Sequence, residues 1–332
     1  VEPRLDHDDY QGADVNGRIV LMLEREPGVA DPSSPFDGIV TAEASRTWRK
    51  VLAAQERGAT AVLFVRDVHN REDINDWPAV HTGAWPDEPR RIERFTLEAW
   101  AEQITIPAAQ ISAELAATLV EGSGRTLEEL AVEAESAEGG LGVVDLGSAR
   151  ADLRTEVERH VSPGTNVLAM IEGSDPDLRD EVVIIGAHHD HNGMDGEVVY
   201  NGADDDGSGT VGVLAIAEAY AQAAASGDLP ARSVIFAIWD AEERGLLGAW
   251  YYTQRPLFPL QSTVANLNMD MIGRHEEVPT DGGGRFRGLD VQSAESNSNA
   301  TNILGYSYTP ELVQIVQDAN RFDLTLRLRY DN

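Results

Sequence analysis

The chain has 332 residues, 42% apolar and 25% charged, an ordinary globular composition that excludes a wholly disordered, collagen-like or coiled-coil chain. Lys and Arg total 26 against 57 Asp and Glu, a formal charge of −31, and so acidic a surface argues against nucleic acid and anionic membranes as partners. Cysteine is absent, so disulfides and thiol nucleophiles are excluded and any metal must be held by His, Asp and Glu.

The length allows two domains. Lys50 is the single lysine, and acid excess with scarce lysine fits either a saline habitat or a GC-rich genome. No apolar run reaches membrane-spanning length, and Val1-Glu2-Pro3-Arg4 does not read as a signal peptide.

The first half reads as a small α/β unit. Arg18 to Leu23 is a short apolar run that predicts a buried strand. Thr41 to Arg57 predicts a helix, with Gly58 as its cap. Ala61 to Val65 is a second strand, and Ile104 to Ala108 is extended, with Pro107 favouring an edge or a strand end. Ser112 is placed to cap a helix from Ala113 to Val120. His69, His81 and the acids from Asp73 to Asp87 read as solvated loop residues. Glu133 to Gly142 is acidic and Gly-rich and reads as a linker or loop.

A second unit then begins. Val182-Val183-Ile184-Ile185 is the continuous β-branched run expected of a strand buried on both faces. Gly207 to Ala225 predicts a helix, Ser233 to Trp239 a strand, Glu243 to Thr253 a helix and Val264 to Met271 a strand. Gly282 to Ser298 reads as a loop, Glu311 to Arg321 as a helix and Leu324 to Arg329 as a strand. Strands alternating with helices imply an α/β fold, an open, mostly parallel sheet with helices on both faces.

Four polar clusters stand at the ends of these elements: Gly186-Ala187-His188-His189-Asp190-His191, Gly202-Ala203-Asp204-Asp205-Asp206-Gly207-Ser208-Gly209, Asp240-Ala241-Glu242-Glu243 and Asn268-Met269-Asp270-Met271. Each has a simpler explanation on its own. A histidine after a strand is commonly a hydrogen-bonded surface group. An Asp before a helix is commonly a cap, and Glu242 and Glu243 could be first-turn acids. Asp270, between two methionines in an apolar strand, is expected to be buried and to need a partner. In open α/β sheets ligands bind at the carboxyl ends of strands, so four such clusters together point to a metal site. Imidazole and carboxylates suit zinc, and a carboxylate can bridge a metal pair. Of two adjacent glutamates, one can bind metal while the other stays free as a base. Asp190 could accept the second ring N–H of His188. A His-Glu-x-x-His helix, a Gly-x-Ser-x-Gly elbow and EF-hand spacing are all missing.

Gly-Ala-His188-x-Asp190, Gly-Ala-Asp-Asp205-Asp-Gly-Ser-Gly, Ala-Glu242-Glu243-x-Gly-Leu-Leu-Gly and Asn-x-Asp270-Met-Ile-Gly resemble the co-catalytic zinc aminopeptidases. Their superfamily also holds glutamate carboxypeptidase and the catalytically dead transferrin receptor ectodomain. The resemblance implies a zinc exopeptidase fold over residues 150–332. Residues 10–145 resemble the protease-associated domain, through Gly-Arg-Ile-Val-Leu, Gly-Ala-Thr-Ala-Val-Leu-Phe and Thr-Ile-Pro-Ala. It further implies two zinc ions: His188 and Asp270 on the first, Asp205 bridging, Glu243 on the second. Glu242 would be the general base toward a water between the ions, with Asp190 beside it in the catalytic apparatus. The Asp205–Asp206 peptide is expected to be cis.

The implied activity is hydrolysis of peptide or protein N-termini, outside the cytoplasm, with a receptor-like ectodomain, a carboxypeptidase and a glutaminyl cyclase on the same fold as alternatives. The family's fifth ligand is a histidine in a C-terminal Ser-Asp-His segment. No histidine follows His275 here, so the chain is expected to be a fragment whose second zinc is weakly held and whose activity is impaired. His189 and His191 are the neighbours that could substitute.

Overall fold

The computed structural model describes residues 1–29, 31, 34–36, 42–69, 95–136, 141–275, 277–279, 290–305, 309–322 and 325–330. The expectations for His81, for the acids from Asp73 to Asp87 and for residues 280–289 fall outside them. The chain divides into two compact units, Val1–Pro89 with Glu98–Val161, and Arg90–Leu97 with Ser162–Asn332.

In the first unit the order is β1 (Ile19–Leu23), α1 (Thr47–Glu56), β2 (Ala61–Val65), α2 (Glu98–Gln103), β3 (Ala108–Gln110), α3 (Ala113–Val120) and α4 (Leu127–Ser136). The strands form a parallel sheet in the order β1-β2-β3, with Leu21 opposite Leu63 and Leu63 opposite Ala109. Alternation along β2 splits the core. Val62 and Phe64 pack with Val51 and Ala54 of α1, while Val65 packs with Ala116, Val120, Leu127 and Leu130 of α3 and α4. Ser112 caps α3 as expected, its hydroxyl accepting from the Leu115 N–H at 3.2 Å.

Two boundaries differ from the sequence expectation. Helix α1 starts at Thr47, after a 3-10 turn over Glu43–Ser45. Helix α4 carries the expected linker's first four residues, from Glu133 to Ser136. Leu127, Leu130 and Ala131 form a buried stripe, Glu133 pairs with Arg125 on the outer face, and Glu135 turns inward to accept from the Gly28 N–H at 2.6 Å.

In the second unit β4 (Val167–Ile171) and β5 (Val182–His188) are followed by a hairpin of β6 (Gly193–Asp195) and β7 (Val198–Tyr200). Then come α5 (Gly207–Ala225), β8 (Ser233–Trp239), α6 (Leu247–Gln254) and β9 (Thr263–Asn268). A short α7 (Ala294–Asn297), β10 (Ala300–Ile303), α8 (Pro310–Phe322) and β11 (Arg327–Tyr330) complete it, with β10 and β11 paired in parallel. The main sheet has the order β4-β8-β5-β9, parallel except for β4, which runs antiparallel along β8.

Strand β8 is buried along its whole length, as its unbroken apolar run requires. Ile235, Ala237 and Trp239 face Val182, Ile184 and Tyr252 of α6, whereas Val234, Phe236 and Ile238 face Ile185, Ala187 and Val213 of α5. Helices thus cover both faces of an open, mostly parallel sheet, the fold class expected from the sequence.

Three further boundaries differ. The Glu242–Leu246 stretch is a turn, and α6 begins only at Leu247. The residues 290–298 expected as loop contain α7. Strand β9 ends at Asn268, so Asp270 lies beyond the sheet with its side chain 42% exposed, not buried between strand neighbours.

Candidate metal centre

Parallel register brings the carboxyl ends of β5, β8 and β9 side by side. His188 is opposite Trp239, and Gly186 is opposite Asn268. The acid-bearing turns that follow these strands converge on His188.

His188 is the last residue of β5 and is 1% exposed. Its backbone N–H donates to Asp206 Oδ2 at 3.0 Å, and its carbonyl accepts from Thr210 Oγ1 at 2.6 Å. Its ring Nδ1 meets the backbone carbonyl of Asp190 at 3.0 Å. That contact aims Nε2 at three carboxylates: Asp205 Oδ1 at 3.3 Å, Glu242 Oε2 at 3.6 Å and Asp270 Oδ2 at 3.7 Å. Nε2 itself is buried without a hydrogen-bond partner. Burial disfavours the imidazolium, yet the nearby carboxylates of Asp190, Asp270 and Glu242 push the pKa up to about 11. A field that binds a proton so firmly favours any cation at that atom.

Asp206 links the strand to the helix. It is 1% exposed and caps α5, its Oδ1 accepting from the Gly209 N–H at 2.9 Å while Oδ2 holds His188. Burial raises its pKa. Gly209 is required by this approach, since a Cβ there would lie 2.4 Å from Asp206 Oδ1 and 2.5 Å from the Met269 carbonyl. The Asp205–Asp206 peptide is cis. Burial, with repulsion from Glu243 and Asp270, raises the pKa of Asp205.

Asp204 faces elsewhere. It pairs with Arg274 at 2.9 Å and accepts from the Gly273 N–H at 2.8 Å, which ties down the segment after Asp270. Asp240 likewise accepts from the Thr165 N–H at 2.6 Å and serves the backbone.

The Asp190 carboxylate accepts from the N–H of Glu242 at 2.8 Å and of Glu243 at 3.1 Å. Its carboxylate oxygen is 3.6 Å from the His188 ring, farther than its own carbonyl. The expected acceptor for His188 is therefore chiefly the main chain of Asp190, and the side chain clamps the turn that carries both glutamates. Burial pulls the Asp190 pKa up, but these hydrogen bonds and His188 hold it below the usual range.

Burial lifts Glu242 to about pKa 7, with repulsion from Asp270, Glu243 and Asp190 adding to it and His188 opposing it. Ala241, just before Glu242, and Met271, just after Asp270, have φ of 54° and 51°. Left-handed backbone at non-glycine residues is costly, and here it flanks the acids that turn toward His188.

Two triads of possible ligand atoms emerge among the described residues: His188 with Asp205 and Asp270, and His191 with Asp205 and Glu243. Within each, the atoms lie within 4.8 Å of one another. Nitrogen and oxygen donors in this mixture suit zinc. The structure thus brings together His188, Asp190, Asp205, Glu242, Glu243 and Asp270. His189 turns away to the Thr165 carbonyl at 3.1 Å, and His275 stands in neither triad. His191, only a substitute in the sequence reading, sits among the donors. Its signal was the His-x-x-His spacing at the end of β5.

Residues 166–315 match the family model described as peptidase family M28, so the peptidase likeness expected from the sequence holds over those residues. The match does not reach the first unit. A probable glutamate carboxypeptidase of Arthroderma benhamiae is 35% identical over 111 residues, 33% of this chain and 14% of the relative. An aminopeptidase of Pseudomonas aeruginosa is 36% identical over 152 residues, 42% of this chain and 26% of the relative. Among solved structures, the aminopeptidase from Aneurinibacillus sp. strain AM-1 aligns with 80% of this chain and 48% of its own, at 19% identity and a TM-score of 0.32. The matched stretches are thus about a seventh to a quarter of the length of these two curated relatives.

Proposed function

We propose that the chain is a zinc-dependent exopeptidase that removes residues from peptide N-termini. The observation that carries this is the meeting of His188, Asp205, Glu243 and Asp270 around one small volume, with Glu242 beside it. In this reading His188 and Asp270 would hold one zinc and Glu243 a second, with Asp205 available to both. When bound, the ions supply Lewis acidity, which acidifies water and polarises a scissile carbonyl.

The remaining work falls to this chain's own carboxylates. Glu242 accepts a proton at Oε2 and returns it to the departing amine, a role suited to a pKa of about 7. Asp190 fixes Glu242 by gripping its N–H, and also that of Glu243. Asp206 fixes His188 from the main-chain side. We read the first unit as a protease-associated domain, supported by the Gly-Arg-Ile-Val-Leu and Ala-Val-Leu-Phe segments that build β1 and β2. We place the protein outside the cytoplasm on the same family grounds.

The test uses the zinc-supplemented chain with peptides whose ends are free or blocked. Cleavage of free-amine but not acetylated peptides is expected, with a blocked carboxyl end tolerated. Glu242→Gln should lose turnover and keep its zinc. Unchanged turnover in that variant overturns the base assignment, and cleavage that needs a free carboxyl end instead makes the chain a carboxypeptidase. A chain that takes up no zinc leaves the non-catalytic, receptor-like reading.

A further inference from the structure

The geometry points to His191 as the nitrogen ligand of the second metal position, with Glu243 and Asp205 as its partners. This deepens the paired-zinc reading and rests on it.

His191 follows β5 by three residues, and its ring is 20% exposed. Nδ1 is 2.5 Å from Glu243 Oε1 and 3.8 Å from Asp205 Oδ1. Neither Nδ1 nor Glu243 Oε1 has a hydrogen-bond partner, although both atoms are buried. An ordinary His–Glu ion pair explains the short distance. It explains neither the lack of hydrogen-bond alignment nor the Asp205 oxygen turned to the same point. Three donor atoms facing one volume are what a cation requires.

The surroundings hold the donors there. Asn192 Nδ2 donates to Glu243 Oε2 at 3.0 Å, which leaves Oε1 for the ring side. Gly202, at φ +62°, lets the backbone pass beneath the ring. A Cβ there would sit 2.8 Å from the Cβ of His191 and 2.8 Å from the Asp205 carbonyl. The Tyr200 ring stands 6.5 Å from the imidazole, tilted at 54° to it. The two triads also share one composition, an imidazole and two carboxylates, with Asp205 Oδ1 facing both rings.

The experiment is zinc titration of the full, metal-stripped chain against a competing chelator, with stoichiometry read by native mass spectrometry. The wild type is expected to take up two ions. His191→Ala should keep one at wild-type affinity and bind the other at least 100-fold more weakly. His189→Ala should match the wild type.

A direct signature comes from His191→Cys. The native chain has no cysteine, so a near-ultraviolet thiolate-to-cobalt band on adding the second cobalt equivalent reports a bond at this position. Two ions bound by His191→Ala at unchanged affinities, or two cobalt ions bound by His191→Cys without that band, overturn the assignment and leave the proposed function standing. A wild type that takes up one ion, lost in His188→Ala, overturns it together with the second metal position of the proposed function, and leaves a single-zinc exopeptidase. A wild type that takes up none overturns both.

Discussion

Both units place acids at the carboxyl edge of a parallel sheet, and they resolve the resulting repulsion differently. In the first unit, Glu24 and Glu26 follow β1 and Asp67 follows β2, and their charges act on Lys50 of α1. The Lys50 ammonium donates to the Leu23 carbonyl at 2.9 Å and to the Arg25 carbonyl. In the second unit, the acids after β5, β8 and β9 surround two imidazoles whose facing nitrogens have no hydrogen-bond partner. One edge already holds a cation, the chain's own lysine. The other presents donors to a cation from outside. The difference separates structural from functional acid clusters better than the number of acids does.

Substitution on each side sharpens that contrast. The largest effect is expected from Glu242→Gln, about 10²- to 10⁴-fold in turnover, the usual contribution of a positioned general base. Steady-state kinetics and elemental analysis on the same sample check it, with zinc content unchanged. Next comes Asp206→Ala, which frees the buried N–H groups of His188 and Gly209 at once. It should cost roughly 2–4 kcal/mol of stability, read as a lower urea midpoint.

Asp190→Asn keeps the size of the side chain but replaces one of its two acceptor oxygens with a donor. Zinc affinity should fall about 10- to 100-fold, as for other groups that orient ligands, and chelator competition measures it.

The smallest effect belongs to the edge that holds Lys50. Burial lowers the Lys50 pKa from 10.5 to about 8, with Asp9, Glu26, Glu24 and Asp67 opposing the shift. Between pH 8 and 10.5 the unfolded chain therefore binds the extra proton, and stability from this group rises with pH across that window. Urea midpoints of wild type and Lys50→Met should diverge in slope there, by on the order of 1–2 kcal/mol for this partly exposed lysine. Parallel curves would mean that Lys50 stays charged in the fold.

Much of this was legible in the sequence. The continuous runs at Ala61–Val65 and Ser233–Trp239 are strands at the expected residues, because burial on both faces leaves no polar position to blur the boundary. Helix α5 also matches to the residue, since Asp206 caps one end. The acid turns were harder. Glu242 and Glu243 resemble first-turn helix acids, but left-handed residues at Ala241 and Leu246 delay the helix to Leu247. Asp270 looked buried beside its methionines, and the strand ends two residues too early for that. The three-residue strands of the β6–β7 hairpin carried too little pattern to be seen. The place of His191 depends on Gly202 and Glu243, residues far along the chain that only the fold brings near.

Asp205 belongs to both donor triads. Any cation drawn to one side withdraws negative charge from the carboxylate on which the other side also relies. On the proposed two-ion reading the two uptake events would be thermodynamically linked, and the penalty that the first filling imposes on the second would equal the reverse penalty. The coupling between the two positions would then reside in a single shared side chain.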